Sequence, residues 1–425
     1  MRVAHLSLVD FRNYHHVELP LSPGANLIVG QNGQGKTNLV EAIGYFSGLR
    51  SHRVSADAPL IRSGADAAVS RMRVAVGERE VLLELQLNRD RPNRGQVNRG
   101  NVPPREVTRW FSSVLFAPED LWIVRGDPST RRRFLDEAVA AYRPAMSGVI
   151  ADYERVLRQR TTLLKSARGG GSRRAAAEAT LSVWDEQLVA FGSQIIVARR
   201  ELLSRLMQPG RRAYQALVEA DHGFDLSMKE SFSWDDVSRE TTPGVGSEEE
   251  SVSRETVAAA FAQALARTRE QEFERGVSLV GPHRDDLHLS LNDLPVKGYA
   301  SHGETWSFVL ALRLAIAEVL RAEDPAGDPV IILDDVFAEL DATRRSRLMR
   351  AVHDFEQVIV TAAVREDVPT DAEWRISEIS RGNIVKPNVD QAPEDAFERT
   401  ISRDTTTPTG PSAPTDERAE RPTDE

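Results

Sequence analysis

The 425-residue sequence contains no cysteine, which excludes disulfide bonds, thiolate nucleophiles and zinc sites with cysteine ligands. The absence of cysteine also fits a cytoplasmic location. No segment approaches the roughly 18 consecutive apolar residues that a membrane-spanning helix needs. The first 19 residues alternate apolar and polar side chains and lack the apolar core of a signal peptide, so they predict a β-strand. These absences predict a globular, cytoplasmic protein without a membrane partner.

Lysine is also scarce. Only five of the 54 basic side chains are lysines, and Lys36 is the only one before position 165. Arginine has taken most basic positions, but its planar guanidinium does not replace a compact ammonium in a tight cradle for an anion. A lysine kept at position 36 therefore indicates that the local geometry requires it.

Lys36 lies in the segment GQNGQGKT, which matches the phosphate-binding pattern G-x-x-x-x-G-K-[ST]. An apolar strand precedes the segment and helical spacing of apolar residues follows it, which is the context that the pattern requires; a chance match in a glycine-containing loop is the alternative. We expect backbone N–H groups and the helix N-terminus to surround the phosphates of ATP, with Thr37 binding Mg²⁺. The candidate ATP-binding residues of this loop are Gly30, Gln31, Asn32, Gly33, Gln34, Gly35, Lys36 and Thr37.

The segment DPVIILDDVFAELD, at 328–341, contains the expected acidic partner of this loop. Four apolar residues predict a buried parallel strand that ends at Asp334 and Asp335. Asp334 is the candidate Mg²⁺ ligand, and Asp335 is the candidate catalytic residue that orients or deprotonates the attacking water, together with Lys36. A plain strand followed by an acidic turn is the alternative.

The two motifs are far apart, since 298 positions separate Lys36 from Asp334. The sequence therefore predicts an α/β fold in which an ATPase head is split by an inserted helical arm. Between Leu181 and Leu202 the apolar residues repeat at spacings of three and four, which predicts an antiparallel helical hairpin; a helix pair in an ordinary bundle has the same pattern and is the alternative. The predicted segments are 1–130 and 273–381 for the two halves of the head, 131–272 for the arm with an acidic insertion at 235–255, and 382–425 for a disordered acidic tail.

The net charge of −10 at pH 7 would by itself oppose binding to nucleic acid. The predicted insertion and the predicted tail each carry a net charge of −5, which leaves the rest of the chain neutral. The folded body is therefore free to carry basic patches.

A further candidate element, SHGE, lies just before the aspartate strand. Ser301, Gly303 and Glu304 open a long predicted helix there. Serine at the N-cap and glutamate three residues later also form a capping box, which gives this element a structural alternative.

Taken together, these motifs resemble the SMC-like branch of the ATP-binding-cassette ATPases. Within that branch the chain resembles the RecF family of bacterial recombination mediators over residues 1 to about 380. The segments that carry the closer resemblance are FRNY at 11–14, FAPEDL at 116–121, RRRFLD at 131–136 and GPHRDDL at 281–287.

The resemblance implies a homodimer in which two chains sandwich two ATP molecules. Ser301, Gly303 and Glu304 would then contact the γ-phosphate bound by the partner chain, and Asp341 would lie in the loop between subunits. Arg12 and Asn13 match positions that contact nucleotide in related heads, although a buried role at the end of a strand competes with that interpretation. Thr361 stands where related ATPases have a histidine, which implies slow hydrolysis.

Glu119 and Asp120 fall near the place where related ATPases carry a glutamine that contacts the metal. Carboxylates at this place leave metal contact as one possible role among others.

The family resemblance implies ATP-dependent binding of double-stranded, single-stranded and gapped DNA, in recombinational repair, replication restart and the SOS response. It implies a weak DNA-stimulated ATPase that helps RecR and RecO to load recombinase onto single-stranded DNA. Arginine clusters would contact phosphates without reading bases; each cluster alone is more often a solvated face. The candidate DNA-binding residues are Arg89, Arg91, Arg94, Arg99, Arg131, Arg132 and Arg133.

Three other functions compete with this interpretation. An ATPase subunit of a membrane transporter would have a compact nucleotide domain and a fuller signature than SHGE. A structural SMC protein would need coiled coils of hundreds of residues, and a P-loop kinase would not need SHGE at all.

Overall fold

The computed structural model describes residues 1–168, 172–233, 253–323, 327–370 and 372–386, which all belong to one compact unit. Strands dominate its first 116 residues and helices its middle. The strands are β1 (Arg2–Phe11), β2 (Tyr14–Pro20), β3 (Gly24–Val29), β4 (Ala67–Val76), β5 (Arg79–Asn88), β6 (Arg94–Val97), β7 (Gly100–Val102), β8 (Ser113–Phe116), β9 (Asp225–Lys229), β10 (Asp286–Leu291), β11 (Leu294–Pro295), β12 (Val330–Asp334), β13 (Gln357–Ala362), β14 (Arg375–Ser380) and β15 (Asn383–Lys386).

Most of the helical residues lie between positions 121 and 323. A single helical turn, Val296–Tyr299, directly follows β11. The helices are α1 (Lys36–Gly48), α2 (Pro104–Val107), α3 (Leu121–Arg125), α4 (Pro128–Tyr142), α5 (Met146–Ala167), α6 (Ser172–Val218), α7 (Arg254–Arg275), α8 (His302–Glu323) and α9 (Ala342–Val352).

The N-terminal sheet is antiparallel, with strand order β2-β1-β4-β5-β6-β7. Alternation of buried and half-exposed residues along β4 and β5 buries one face of this sheet, as the period of two along a strand requires. Leu6 and Met72 are opposite each other on β1 and β4 and both are fully buried.

The central sheet has strand order β15-β14-β3-β13-β12-β8. All its neighbouring pairs are parallel except β15 and β14, which form an antiparallel hairpin. The sheet unites strands from both ends of the chain, because β3 and β8 come before the helical region and the other four strands come after it. All residues of β12 and β13 are buried, as in a parallel sheet that is covered on both faces.

Two hydrophobic cores lie on opposite faces of the central sheet. On one face Ile332 packs in a cluster with Ile43 of α1 and with the N-terminal sheet. On the other face Leu333 packs in a cluster with Phe308 of α8 and with the helices of the middle region. The carboxyl ends of β3, β12 and β13 therefore meet at one edge that both cores hold in place.

The middle region is an antiparallel pair of long helices with further helices packed on it. Helix α6 packs along α5, α7 and α8, and its repeating apolar residues Leu181, Leu188, Ile195 and Leu202 are buried. The helical core is continuous with the core under the central sheet, so the predicted segment boundaries at 130 and 272 stay predictions.

The predicted disordered tail starts too early. Residues Asn383–Lys386 form β15, which pairs with β14, because Ile384 and Ile379 are opposite each other and Ile379 is buried in the core. The remainder of the tail, 387–425, lies outside the described residues. Most of the predicted insertion, residues 235–252, also lies outside the described residues. The last three residues of the predicted insertion belong to the helical region instead. Ser253 caps α7 by accepting a hydrogen bond from the backbone N–H of Thr256, and Arg254 and Glu255 are the first residues of that helix.

Within the described residues, no helix has both the length and the apolar character that crossing a bilayer requires.

Candidate nucleotide-binding site

The glycine-spaced loop connects β3 with α1 and has a backbone that side chains would disturb. Gly33 and Gly35 have φ values of 81° and 111°, in the region that favours glycine. A Cβ at Gly35 would lie 2.5 Å from Tyr14 Oη, and a Cβ at Gly30 would lie 2.5 Å from the carbonyl oxygen of Ile379. The loop is therefore a close-packed cradle at the N-terminus of α1, where backbone N–H groups can bind an anion.

Lys36 is the first residue of α1 and is almost completely buried. Its ammonium donates hydrogen bonds to the Gly30 carbonyl oxygen at 2.8 Å and to Asn32 Oδ1 at 3.4 Å. Both acceptors belong to the loop, so the side chain folds back over the cradle as a phosphate-binding lysine must.

The carboxylate of Asp334 lies at the end of β12, beside the start of α1. The Thr37 hydroxyl donates to Asp334 Oδ1 at 3.2 Å, and the Thr361 hydroxyl donates to the same oxygen at 2.6 Å. Asp334 is only 2% exposed, and burial raises its pKa to about 6, although both hydroxyls act in the opposite direction.

These residues fit Mg²⁺. A hydroxyl and a carboxylate are the hard oxygen ligands that this ion takes, and the raised pKa of Asp334 indicates a buried carboxylate that lacks cationic compensation. Among the described residues, no cluster of three carboxylates or imidazoles could hold a metal by itself. That agrees with an ion bound through one or two side chains together with substrate phosphates.

Asp335 follows at the end of the same strand in a left-handed backbone conformation, with φ of 51°. Its backbone N–H donates to Thr361 Oγ1 at 3.0 Å. Burial raises the pKa of its carboxyl group and the nearby ammonium of Lys36 lowers it. The Thr361 hydroxyl thus donates to the Asp334 carboxylate and accepts from the Asp335 backbone N–H.

Arg12 and Asn13 occupy the turn between β1 and β2, next to the loop. The Arg12 guanidinium donates to both oxygens of the fully buried Glu41 on α1, at 2.7 and 2.5 Å. Asn13 accepts a hydrogen bond from Asn38 at 2.7 Å and donates to the Gln34 carbonyl oxygen at 3.4 Å. The structure thus favours the strand-end role for Arg12, whereas Asn13 contacts the cradle directly.

The SHGE element opens α8 with a capping box. The Ser301 backbone N–H donates to Glu304 Oε2 at 2.8 Å, and the Glu304 backbone N–H donates to Ser301 Oγ at 3.2 Å. These hydrogen bonds lower the pKa of Glu304. Ser301 is exposed and uses its oxygen as the acceptor, so its hydroxyl proton remains a donor for a further ligand.

Asp341 and Gly303 meet at one arginine. Asp341 caps α9 by accepting from the Arg344 backbone N–H at 2.9 Å, and it also pairs with the Arg344 guanidinium at 2.9 Å. A Cβ at Gly303 would lie 2.8 Å from that guanidinium. The SHGE element and the predicted inter-subunit loop at Asp341 are therefore neighbours in the fold.

The two carboxylates of FAPEDL have different environments. Asp120 accepts hydrogen bonds from Arg313, at 2.5 and 3.2 Å, and from the Ala117 backbone N–H at 3.1 Å. Glu119 is exposed, and its charge raises the pKa of Asp334. Asp120 is thus held by hydrogen bonds within the protein, whereas Glu119 is exposed and its charge reaches Asp334.

Two of the predicted DNA-binding arginines are used inside the protein. Arg131 is 8% exposed and pairs with Asp286 at 2.7 and 2.9 Å, so its guanidinium is not free to bind phosphate, and including it among the DNA contacts was wrong. The half-buried Arg132 donates to the Asp285 carbonyl oxygen at 2.9 Å. Arg133 is exposed, with Glu137 at 3.9 Å.

The other four arginines lie around the β5–β6 and β6–β7 turns. Arg89 donates to three backbone carbonyl oxygens, those of Ala65, Ile61 and Arg62, at 2.8 to 3.3 Å, so it stabilises the turn. All four arginines of this group are exposed, and the Arg89 guanidinium is engaged in these backbone hydrogen bonds.

Sequence reasoning missed His52, in the loop after α1. Its Nε2 atom is buried and lies 3.9 Å from Asp334 Oδ2. It also missed Glu41, the buried partner of Arg12. Neither residue lies in a recognisable motif, and only the fold brings them to the site.

Comparisons with known proteins agree with this geometry. The family model described as RecF/RecN/SMC N terminal domain matches residues 2–381. The protein named DNA replication and repair protein RecF from Leifsonia xyli subsp. xyli is 53% identical over 388 residues, which are 91% of this chain and 100% of that protein. Its counterpart from Clavibacter michiganensis subsp. michiganensis is 54% identical over 390 residues, covering 91% and 96%.

Solved structures show the same relationship. A structure described as the recombination mediator protein RecF-ATPrS in the RecFOR pathway has a TM-score of 0.78 and 26% identity, and covers 90% of this chain and 97% of that one. An Smc head bound to the C-winged helix domain of ScpA has a TM-score of 0.51 at 15% identity, with coverage of 95% and 100%, which shows the fold alone. The predicted split ATPase head is thus confirmed.

Proposed function

The chain belongs to the RecF family of SMC-like ATPases, and we propose that it is an ATP-dependent DNA-binding protein of replication and recombinational repair. The observation that carries this proposal is the constellation of Lys36, Thr37 and Asp334 at the end of the central sheet. The named relatives, DNA replication and repair proteins with about half of their residues identical, supply the process.

ATP binding is supported first by the cradle. The left-handed glycines and the start of α1 present backbone N–H groups, and the buried ammonium of Lys36 supplies the positive charge for the β- and γ-phosphates. A related solved structure is described as RecF-ATP, with 25% identity and a TM-score of 0.75. Asn13 adds a polar contact at the edge of the cradle.

Mg²⁺, when bound by Thr37 and Asp334, would neutralise charge on the phosphates. Asp335 has its own role, since its raised pKa and its place beside Lys36 suit a carboxylate that orients or deprotonates water. Thr361 already uses its hydroxyl for Asp334 and Asp335. We therefore propose weak hydrolysis that acts as a switch.

We further propose that ATP joins two copies of the chain. Ser301 is exposed and rigidly held by its capping box, and its hydroxyl can donate to a phosphate bound by the partner. The Asp341–Arg344 pair lies beside Gly303 and would transmit contact between subunits. In this arrangement each ATP is held by the cradle of one chain and the SHGE element of the other.

The proposed DNA surface consists of Arg91, Arg94, Arg99 and Arg133, which are exposed. Binding through phosphates would suit double-stranded, single-stranded and gapped DNA alike. RecR and RecO are the proposed partners in loading recombinase, since a related structure is described within the RecFOR pathway.

The test is ATP-dependent dimerisation on gapped DNA, followed by light scattering with a non-hydrolysable nucleotide. Lys36→Met is expected to lose nucleotide binding, and Ser301→Arg is expected to bind nucleotide normally but to stay monomeric. Lys229→Met and Ser182→Arg change exposed residues of the same types and are the matched controls. Dimerisation by both site variants at wild-type nucleotide concentration would contradict the proposal.

A further inference from the structure

His52 has an unexplained buried nitrogen next to the metal site. Its side chain is 16% exposed, and its Nε2 atom has no hydrogen-bond partner in the described structure. Buried polar side-chain atoms are nearly always hydrogen-bonded, and an exception in a functional site indicates a ligand or a water molecule.

The geometry identifies where that missing partner lies. Asp334 Oδ1 already accepts hydrogen bonds from Thr37 and Thr361, whereas Oδ2 is the oxygen nearest to His52 Nε2, at 3.9 Å. This separation is too long for a direct hydrogen bond, but one oxygen atom about 2.8 Å from each can bridge it.

His52 is largely buried, and its charged neighbours are Glu41, Glu119, Asp120 and Arg53. A neutral imidazole with its proton on Nδ1 has an acceptor at Nε2. Water bound to a divalent cation is a strong hydrogen-bond donor, so the two are complementary.

We propose that His52 is a positioning residue whose Nε2 accepts a hydrogen bond from a water molecule in the coordination shell of the nucleotide-bound Mg²⁺, next to Asp334 Oδ2. Mg²⁺ keeps several of its waters when it binds to proteins, and residues that hold such outer groups orient the ion. This inference rests on the proposed ATP and Mg²⁺ site, and it assigns to His52 a role that no motif in the sequence indicates.

A pair of matched variants separates this role from packing. His52→Gln carries an amide near the Nε2 position, whereas His52→Asn carries it near the Nδ1 position. Both variants are polar and of similar size, so they share any general cost of replacing a half-enclosed ring. The control is His353→Asn, because His353 is 84% exposed.

The measurement is the Mg²⁺ concentration that gives half-maximal binding of a fluorescent, non-hydrolysable ATP analogue. The measurement is made at pH 8, above the ordinary imidazole pKa of about 6.5. We expect His52→Asn to raise that Mg²⁺ concentration about tenfold, the size of effect typical of lost outer-shell contacts. His52→Gln is expected to stay close to the wild type, and analogue binding in excess chelator is expected to be the same for all.

Three results would overturn the inference: wild-type Mg²⁺ dependence in both His52 variants, an equal increase in both, or weaker binding in chelator for His52→Asn. The last two would show that the ring only supports the packing of the loop. Lys36→Met is measured in parallel. If it loses the analogue while the His52 variants behave like the wild type, the ATP site stands and only the role of His52 fails; if it keeps the analogue, the ATP site itself fails.

Discussion

The Thr37 hydroxyl lies 3.2 Å from Asp334 Oδ1, although 297 positions separate the two residues in the chain. Parallel pairing of β12 with β13, and of β13 with β3, brings the end of the aspartate strand beside the start of α1. Thr361, on the strand between them, donates to the same carboxylate. The metal site is therefore a product of the central sheet and depends on three strands in register.

The Thr361 hydroxyl is a test of that relationship. Thr361→Val keeps the shape of the side chain but removes one of the two hydroxyl donors of the buried Asp334 carboxylate and the acceptor of the Asp335 backbone N–H. We expect the free energy of unfolding to fall by about 1–3 kcal/mol, and nucleotide binding to need more Mg²⁺. Urea unfolding and a Mg²⁺ titration measure the two effects. Thr162→Val, on the exposed side of α5, is the control, and equal effects of both substitutions would contradict the role of Thr361.

Removing Arg12 from its ion pair with Glu41 is expected to lower the free energy of unfolding, and replacing both charged residues is expected to restore it. Arg12→Ala removes the guanidinium that binds both oxygens of the Glu41 carboxylate, which is 0% exposed and retains the Ser51 hydroxyl as a donor. We expect a cost of about 3–5 kcal/mol in urea unfolding. The double variant Arg12→Met, Glu41→Gln should recover most of that loss because no buried charge remains.

The same double variant separates the two roles of Arg12. If Arg12 is structural, the double variant binds nucleotide with near wild-type affinity. A stable double variant that has lost nucleotide binding would show instead that the guanidinium contacts the nucleotide.

His283 predicts a dependence of stability on pH. Burial lowers the pKa of His283 to about 3, and the ring nitrogen Nδ1 lies 2.7 Å from Tyr153 Oη. A lowered pKa means that the stability contributed by the neutral ring is complete above the unfolded pKa, near 6.5, and is lost as the pH falls toward 3. Between pH 7 and pH 5 this residue should cost the wild type about 2 kcal/mol.

The comparison is with His283→Gln, which cannot be protonated. We expect this variant to be less stable than the wild type at pH 7, with a difference that shrinks by about 2 kcal/mol at pH 5. Urea unfolding at the two pH values measures it. His353→Gln should follow the wild type at both, and a constant difference for His283→Gln would show that the ring is not buried as described.

The exposed arginines predict a change in the salt dependence of DNA binding. We expect replacement of Arg91, Arg94 and Arg99 by alanine to weaken binding to DNA of any sequence. Each lost phosphate contact should also reduce the slope of log affinity against log salt concentration by about 1. Fluorescence anisotropy at several NaCl concentrations measures both quantities. Arg155→Ala, an exposed arginine on α5, is the matched control, and an unchanged slope in the triple variant would place the DNA elsewhere.

Local patterns account for the parts of the site that could be predicted. The cradle needs left-handed backbone at Gly33 and Gly35, and a lysine at the start of α1, so short-range geometry restricts the residue types there. Because β12 is buried on both faces, its sequence is a run of apolar residues ending in Asp334, and that run predicts the strand. The capping box at Ser301 and Glu304 is local in the same way.

Tertiary structure determined which charged side chains are buried in ion pairs and which are exposed. Arg131 and Arg133 stand in one basic run, yet Arg131 is buried against Asp286, 155 positions away, while Arg133 is exposed. The sequence does not distinguish a buried arginine from an exposed one, because the burial depends on which distant carboxylate the fold brings to the guanidinium. His52 and Glu41 became part of the site for the same reason. The sequence by itself determined the phosphate cradle and the aspartate strand, since backbone sterics and burial act over a few residues; the pairing of buried charges and the unpartnered imidazole were decided only when the central sheet joined the two ends of the chain.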